Sequence, residues 1–68
     1  MLAEERRQKI LELIYRDRQV SNTELCRLFD VSDETIRRDL AEVAASHPVK
    51  KVHGGAVLVA GQRFREQP

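Results

Sequence analysis

Two helix starts, with room for only one short helix and a two-residue turn between them, leave this chain little freedom. Ser21-Asn22-Thr23-Glu24 has the form of a capping box. In such a box the Ser hydroxyl and the Glu carboxylate each satisfy a backbone N–H that the first helical turn leaves unpaired. Leu25, Leu28 and Phe29 follow at i, i+3, i+4 spacing, which predicts a second helix ending near Phe29. The next start is Ser32, a good N-cap, with Asp33 and Glu34 placing negative charge at the positive end of the helix dipole. Only Asp30-Val31 remains to turn the chain. Asp tolerates a left-handed backbone better than most residues, and Val31 is placed to fill the angle between the helices. Two capped helices joined this tightly predict a helix-turn-helix.

The helix opened by Ser32 has opposed faces. Ile36, Leu40 and Val43 recur at helical spacing and form one narrow apolar stripe. At roughly 100° per residue, Arg38 and Glu34 fall almost opposite that stripe, with Thr35 and Arg37 on its flanks. A helix held from behind and presenting short polar and guanidinium groups outward meets the needs of a probe in a DNA major groove. The same residues also suit an amphipathic surface helix whose charged face meets only water.

The rest of the chain gives that helix a context. A first helix is predicted from about Ala3 to Tyr15, with Ile10, Leu11, Leu13 and Ile14 as its apolar face and a polar first half from Glu4 to Lys9. Arg16-Asp17-Arg18-Gln19 interrupts the pattern, and Val20 re-enters the core as a short extended segment. The third helix should fade around Ala45, because Pro48 disfavours a helical residue before it. Val49 to Val59 then reads as two β-branched runs about a Gly54-Gly55 turn, a β-hairpin. A hairpin directly after a helix-turn-helix is a wing, whose Lys50, Lys51 and His53 can lie along phosphates and fix register. His53-Gly54-Gly55 serves equally well as a plain tight turn. The expected class is therefore small α+β: a winged helix-turn-helix over residues 1–59, three helices followed by a two-stranded hairpin wing. Residues 60–68 are polar, basic and aperiodic, and read as a linker or disordered tail.

Size and composition narrow the choice of function. The chain has 68 residues, enough for one small core of about a dozen side chains. Cys26 is the single cysteine, which excludes an intramolecular disulfide and a multi-cysteine metal site, and its apolar helical setting suits a small buried hydrophobe. No signal peptide or membrane-length apolar run is present, so the expected compartment is the cytoplasm, with no membrane partner. Formal net charge is only +1. Its distribution matters more: residues 1–36 carry six Lys/Arg against eight acids, whereas residues 37–68 carry six against three. Positive charge thus gathers where the third helix and the wing lie. Catalysis is disfavoured, because Cys26, His47 and His53 fall on different elements without nucleophile–base spacing; no cofactor or metal is expected.

VSDETIRRDL (31–40), followed by KKVHGGAVL (50–58), resembles the DNA-binding domain of the DeoR family of bacterial repressors. The family carries a V-S-x-x-T-I-R-R-D-L segment and a wing ending in H-G-G-A. EERRQKILELI (4–14) and SNTELCRLF (21–29) sit where the family has its first two helices, so the resemblance covers about residues 4–58. It implies a winged helix-turn-helix that binds a double-stranded operator and represses transcription, commonly of carbohydrate-utilisation genes. Carried over by position, Ser32, Thr35, Arg37 and Arg38 match the reading segment, and His53 and Gly54 match the wing. Two departures stand out. The family usually has a glycine-containing connector before the wing, where this chain has Ser46-His47-Pro48. Family members also carry a large C-terminal domain that binds a sugar-phosphate effector and drives oligomerisation. That effector is expected only for such a domain, so this chain reads as an excised domain or a minimal regulator.

The candidate DNA-binding residues are therefore Ser32, Glu34, Thr35, Arg37, Arg38, Lys50, Lys51, His53 and Gly54. Ser32 and the helix N-terminus are expected on a phosphate. Arg38, pointing most directly away from the stripe, is expected on base edges, with Arg37 as the phosphate partner. Operators are usually read by symmetric dimers, yet no dimerisation helix is evident, and the oligomeric state stays open. The competing class is a winged-helix module whose third helix meets a protein, for which Glu34 and Glu42 beside the arginines would suit a mixed-charge interface.

Overall fold

In the computed structural model, which describes residues 1–59, two left-handed residues set the lengths of the first two helices. α1 (Ala3–Asp17) stops at Arg18 (φ 72°, ψ −11°), and α2 (Asn22–Phe29) stops at Asp30 (φ 55°, ψ 51°). Each stopping residue donates its N–H back into the helix, to the carbonyls of Ile14 and Cys26 respectively, so the last turn closes with its acceptors used. The Asp30 turn is the one expected from the sequence. α1 runs two residues past the expected Tyr15, because Arg18 rather than the charged run itself ends it. Residues 60–68, expected as a linker or tail, lie outside the described residues.

Both serine caps form. Ser21 Oγ accepts from the Glu24 N–H at 3.1 Å, and Ser32 Oγ accepts from the Thr35 N–H at 3.2 Å. α3 (Asp33–Ser46) ends at His47, whose extended backbone leads into Pro48. The chain then forms β2 (Val49–Val52) and β3 (Gly55–Leu58), the expected wing. The hairpin pattern did not disclose a third strand. β1 (Gln19–Ser21), the extended segment at Val20, pairs antiparallel with β3, giving the sheet order β1-β3-β2. Backbone bonds flank that pairing on both sides: Leu58 N–H donates to the Arg18 carbonyl and Asn22 N–H to the Gly54 carbonyl, each at 2.8 Å. The wing is thus stitched to the helical body along its length.

The two glycines do different work, and the turn is not the Gly-Gly pair that the sequence predicted. The turn residues are His53 and Gly54, and only Gly54 needs positive φ (81°). Gly55 already belongs to β3, opposite Ser21. A Cβ there would lie 2.0 Å from the Val20 carbonyl oxygen, so β1 and β3 can approach only over a glycine.

The core joins every layer. Ile10 and Ile14 from α1, Leu25 from α2, Ile36, Leu40 and Val43 from α3, Val49 from β2 and Ala56 from β3 are buried. Complete burial of such a side chain is worth about 1.5–3 kcal/mol. Cys26, Phe29 and Val31 pack against this cluster, Val31 as expected and Cys26 only partly buried rather than within the core. Leu28 does not. It is 63% exposed, because Leu25, Cys26 and Phe29 take the inward arc of a short helix and leave Leu28 at its edge.

Among the described residues, one buried group is charged. Asp39, on the core side of α3, is 1% exposed and is held by two arginines of α1. Arg6 makes a fork, its Nε donating to Oδ2 and its Nη2 to Oδ1 at 3.1 Å, and Arg7 Nε donates to Oδ1 at 3.0 Å. The hydrogen bond to Asp39 raises the Arg6 pKa above its ordinary value, against the opposing effect of desolvation. The polar first half of α1, to which the sequence assigned no partner, therefore contains the groups that a buried carboxylate requires.

Three stability measurements check this description, each by chemical denaturation. Leu40→Ala should cost about 2–5 kcal/mol, the range for a buried leucine that leaves a cavity; a near-neutral change would mean that the faces of α3 are misassigned. Asp39→Asn should cost about 2–4 kcal/mol, because an amide turns a donor toward guanidiniums that it cannot satisfy. Gly55→Ala should cost about 1–3 kcal/mol, since the clash is with backbone that cannot rotate away.

Candidate nucleic-acid interface

A reading helix needs a fixed back and an open front, and α3 has both. Ile36, Asp39, Leu40 and Val43 face inward, whereas Ser32, Glu34, Arg37 and Arg38 are exposed and Thr35 is half-buried. The face assignment made from periodicity therefore describes the structure, with Asp39 as the addition. Ser32 has its hydroxyl committed: besides capping Thr35, its Oγ lies 3.0 Å from Thr35 Oγ1 and shares a hydrogen bond with it. What the start of α3 offers outward is consequently its free backbone N–H groups more than the Ser32 side chain.

The two arginines are held by the carboxylates one turn before them. Arg37 Nε lies 2.7 Å from Asp33 Oδ2, and Arg38 Nη2 lies 3.5 Å from Glu34 Oε2. All four side chains are at least half exposed, so in water these pairs add only about 0.3–0.5 kcal/mol each to the helix. Their consequence is electrostatic. With Glu42 also exposed, the outer face of α3 carries two guanidiniums and three carboxylates, and it is not basic by itself.

Positive charge comes from the hairpin, unevenly. Strand alternation turns consecutive residues to opposite faces. Val49 and Lys51 share the face of β2 that looks toward the helices, because Lys51 pairs with the buried Ala56. A cleft between α3 and the wing is lined by Arg37 and Leu40 on one side and Lys51, His53 and Gly54 on the other, with Asn22 between. The structure thus brings Arg37, Lys51, His53 and Gly54 together. Lys50 is exposed on the opposite sheet face, and Arg38 and Glu34 lie on α3 outside this cleft.

Sequence reasoning missed Asn22 and the Arg6–Arg7–Asp39 cluster. Asn22 Oδ1 is buried without a hydrogen-bond partner among the described residues, while its backbone N–H holds the wing at Gly54. Nothing in a cap reading marks it, because it sits one residue inside the helix as an unremarkable polar group. Asp39 did leave a signal: an acid three residues after Ile36 and adjacent to Leu40 falls within the apolar stripe, where it requires a partner. No group of three or more metal-ligating side chains occurs among the described residues, and no helix there is long and apolar enough to cross a membrane.

Comparison with known proteins agrees with this architecture. The DeoR-like helix-turn-helix domain family matches residues 6–62. The HTH-type transcriptional regulator GolR of Listeria innocua is 45% identical over 58 residues, 85% of this chain and 23% of its own length. The glycerol-3-phosphate regulon repressor of Escherichia coli is 44% identical over 54 residues, 79% of this chain and 21% of its own. The lactose phosphotransferase system repressor of Streptococcus mutans is 39% identical over 56 residues, 82% of this chain and 22% of its own. The chain therefore spans less than a quarter of the length of these relatives. No solved structure matches it significantly. The chain belongs to the DeoR-like helix-turn-helix domain family.

Proposed function

We propose that this domain brings a repressor to its operator, with α3 entering the major groove N-terminus first and the wing tracking the adjacent phosphate backbone. The observation that carries this reading is the shared open side of α3 and the hairpin, where Arg37, Lys51, His53 and Gly54 surround one cleft. Base contacts fall to Arg37, Arg38 and Thr35, since guanidiniums fork guanine O6 and N7 and a threonine can offer its hydroxyl or methyl. Glu34 suits the amino group of a cytosine. Backbone N–H groups at Ser32, together with Lys51, His53 and Gly54, suit phosphates, and Lys50 adds longer-range attraction from the other sheet face.

The genes under control are proposed to be those of carbohydrate or sugar-phosphate use. Two relatives are named as repressors of a glycerol-3-phosphate regulon and of a lactose phosphotransferase system. A sugar-phosphate effector belongs, on this reading, to sequence beyond the domain. The domain acts in the cytoplasm, where the operator is, and a symmetric dimer would match a palindromic site. No catalytic role is proposed.

An NMR titration with a duplex selected from random sequence, repeated with a scrambled duplex at two salt concentrations, tests the reading. Shifts concentrated on Ser32–Arg38 and Lys51–Gly54, and stronger with the selected duplex, are expected. Their absence with both duplexes would turn the assignment toward a protein partner. Lys51→Ala should weaken both duplexes alike and lower the slope of log K against log salt by about one unit. Lys50→Ala should change that slope less, and equal effects would mean that the backbone runs along both faces of the wing.

A further inference from the structure

The cleft between α3 and the wing differs from other hollows of the described surface. Those take in Asp17 and Glu24, Glu12, or Glu4 and Glu42. No carboxylate lines this one, where Arg37, Lys51 and His53 meet Asn22 and the two wing glycines. A hollow walled by donors suits an anion. Asn22 is the odd group in it. Its backbone N–H is committed to the Gly54 carbonyl at 2.8 Å, whereas its side-chain Oδ1 is buried and accepts no hydrogen bond. A buried amide oxygen without a donor is a standing cost to the free domain, and native proteins keep few of them.

The donors at hand are the three side chains that share the cleft. Arg37 is accompanied by Asp33 at 2.7 Å. A neutral imidazole such as that of His53 has a single N–H and cannot serve two acceptors. Lys51 is exposed, has no ion pair among the described residues, and stands on the helix-facing side of β2. An ammonium does not leave water for one neutral acceptor, because its hydration is worth more. A phosphate reverses that balance. It supplies the counter-charge, and the three N–H groups of one ammonium can then serve a phosphate oxygen and Asn22 Oδ1 together. We propose that Asn22 is a positioning residue for DNA, whose Oδ1 receives the Lys51 ammonium when an operator phosphate enters the cleft and so fixes that phosphate between the wing and α3. The proposal rests on the DNA-binding reading above and adds to it a residue of α2. The oxygen left unpaired in the free domain is satisfied only in the complex, so its pairing favours the bound state.

The test measures affinity for the selected duplex with one backbone position at a time replaced by an uncharged methylphosphonate. The variants are Asn22→Ala, Lys51→Ala, their combination, Arg37→Ala, and Lys50→Ala as a control. Asn22→Ala keeps the backbone N–H that holds Gly54, so it removes the side chain alone. Several methylphosphonates should weaken binding by the unaltered domain, and at one of them the penalty should vanish in Lys51→Ala but persist in Lys50→Ala. Asn22→Ala should weaken binding of the unmodified duplex at least about threefold and shrink the penalty at that same position. It should leave the thermal unfolding midpoint of the free domain unchanged or higher, since an unpaired buried oxygen is lost. Adding Asn22→Ala to Lys51→Ala should weaken binding no further. Full additivity of those two substitutions, coupling of Asn22→Ala to Arg37→Ala in place of Lys51→Ala, or a lowered unfolding midpoint would overturn the proposal while leaving the DNA-binding reading in place. Absence of binding to any duplex by the unaltered domain would remove that reading and the proposal with it.

Discussion

The contact between Asp39 and the two arginines of α1 decides which way the reading helix faces. A helix with a narrow apolar stripe can roll by tens of degrees and still bury most of it, since hydrophobic contact is not directional. A buried carboxylate cannot roll: it must meet its donors at hydrogen-bond distance. Arg6 supplies a two-point fork and Arg7 a third bond, all from the adjoining helix. With Asp39 anchored, the exposed arc of α3 is set, and Glu34, Arg37 and Arg38 fall on it. Buried ion pairs are often no more stabilising than well-packed apolar residues of similar size. The value of this one lies in orientation, because a probe helix turned by one residue would present different side chains to the groove.

The remaining devices carry that orientation to the wing. The left-handed Asp30 and the Ser32 cap set the angle at which α3 leaves α2. β1 then makes the wing part of the helical body rather than an appendage. Gly55 lets β3 come close to Val20, and the Asn22 N–H holds the hairpin at Gly54, beside the start of α2. The same hairpin also packs its Val49 face against the core, and Lys51 and Arg37 line one cleft between the wing and α3. A loose hairpin would contribute charge but no register.

Charge on this surface follows a division of labour that a residue count conceals. Arg6 and Arg7 are engaged by Asp39, and Arg37 and Arg38 are accompanied by Asp33 and Glu34. On the function proposed above, the general attraction for an anionic duplex is left to the wing. Such an arrangement suits a reader that must leave most sites, because a helix face without net positive charge gains little from phosphates alone.

Local features were legible in the sequence because their causes are local. A serine hydroxyl reaching an N–H three residues on, an aspartate able to take positive φ, a proline ending a helix, and apolar residues three and four apart are all settled within one or two turns of chain. So the three helices, the Asp30 turn, the hairpin and the exposed face of α3 could be placed from residue types alone. The family resemblance carried by VSDETIRRDL and KKVHGGAVL was legible for the same reason. Other features rest on pairs far apart in sequence. Asp39 meets Arg6 across 33 residues, Gly55 meets β1, and the exposure of Leu28 depends on which neighbours fill the inward arc of α2. Strand alternation separates Lys50 from Lys51 only once the register with Ala56 is known. The sequence by itself determined the three helices, the hairpin and the residue types on the exposed face of α3; the tertiary structure alone decided the third strand and how that face is aimed, because both depend on directional contacts between residues that the chain brings together only on folding.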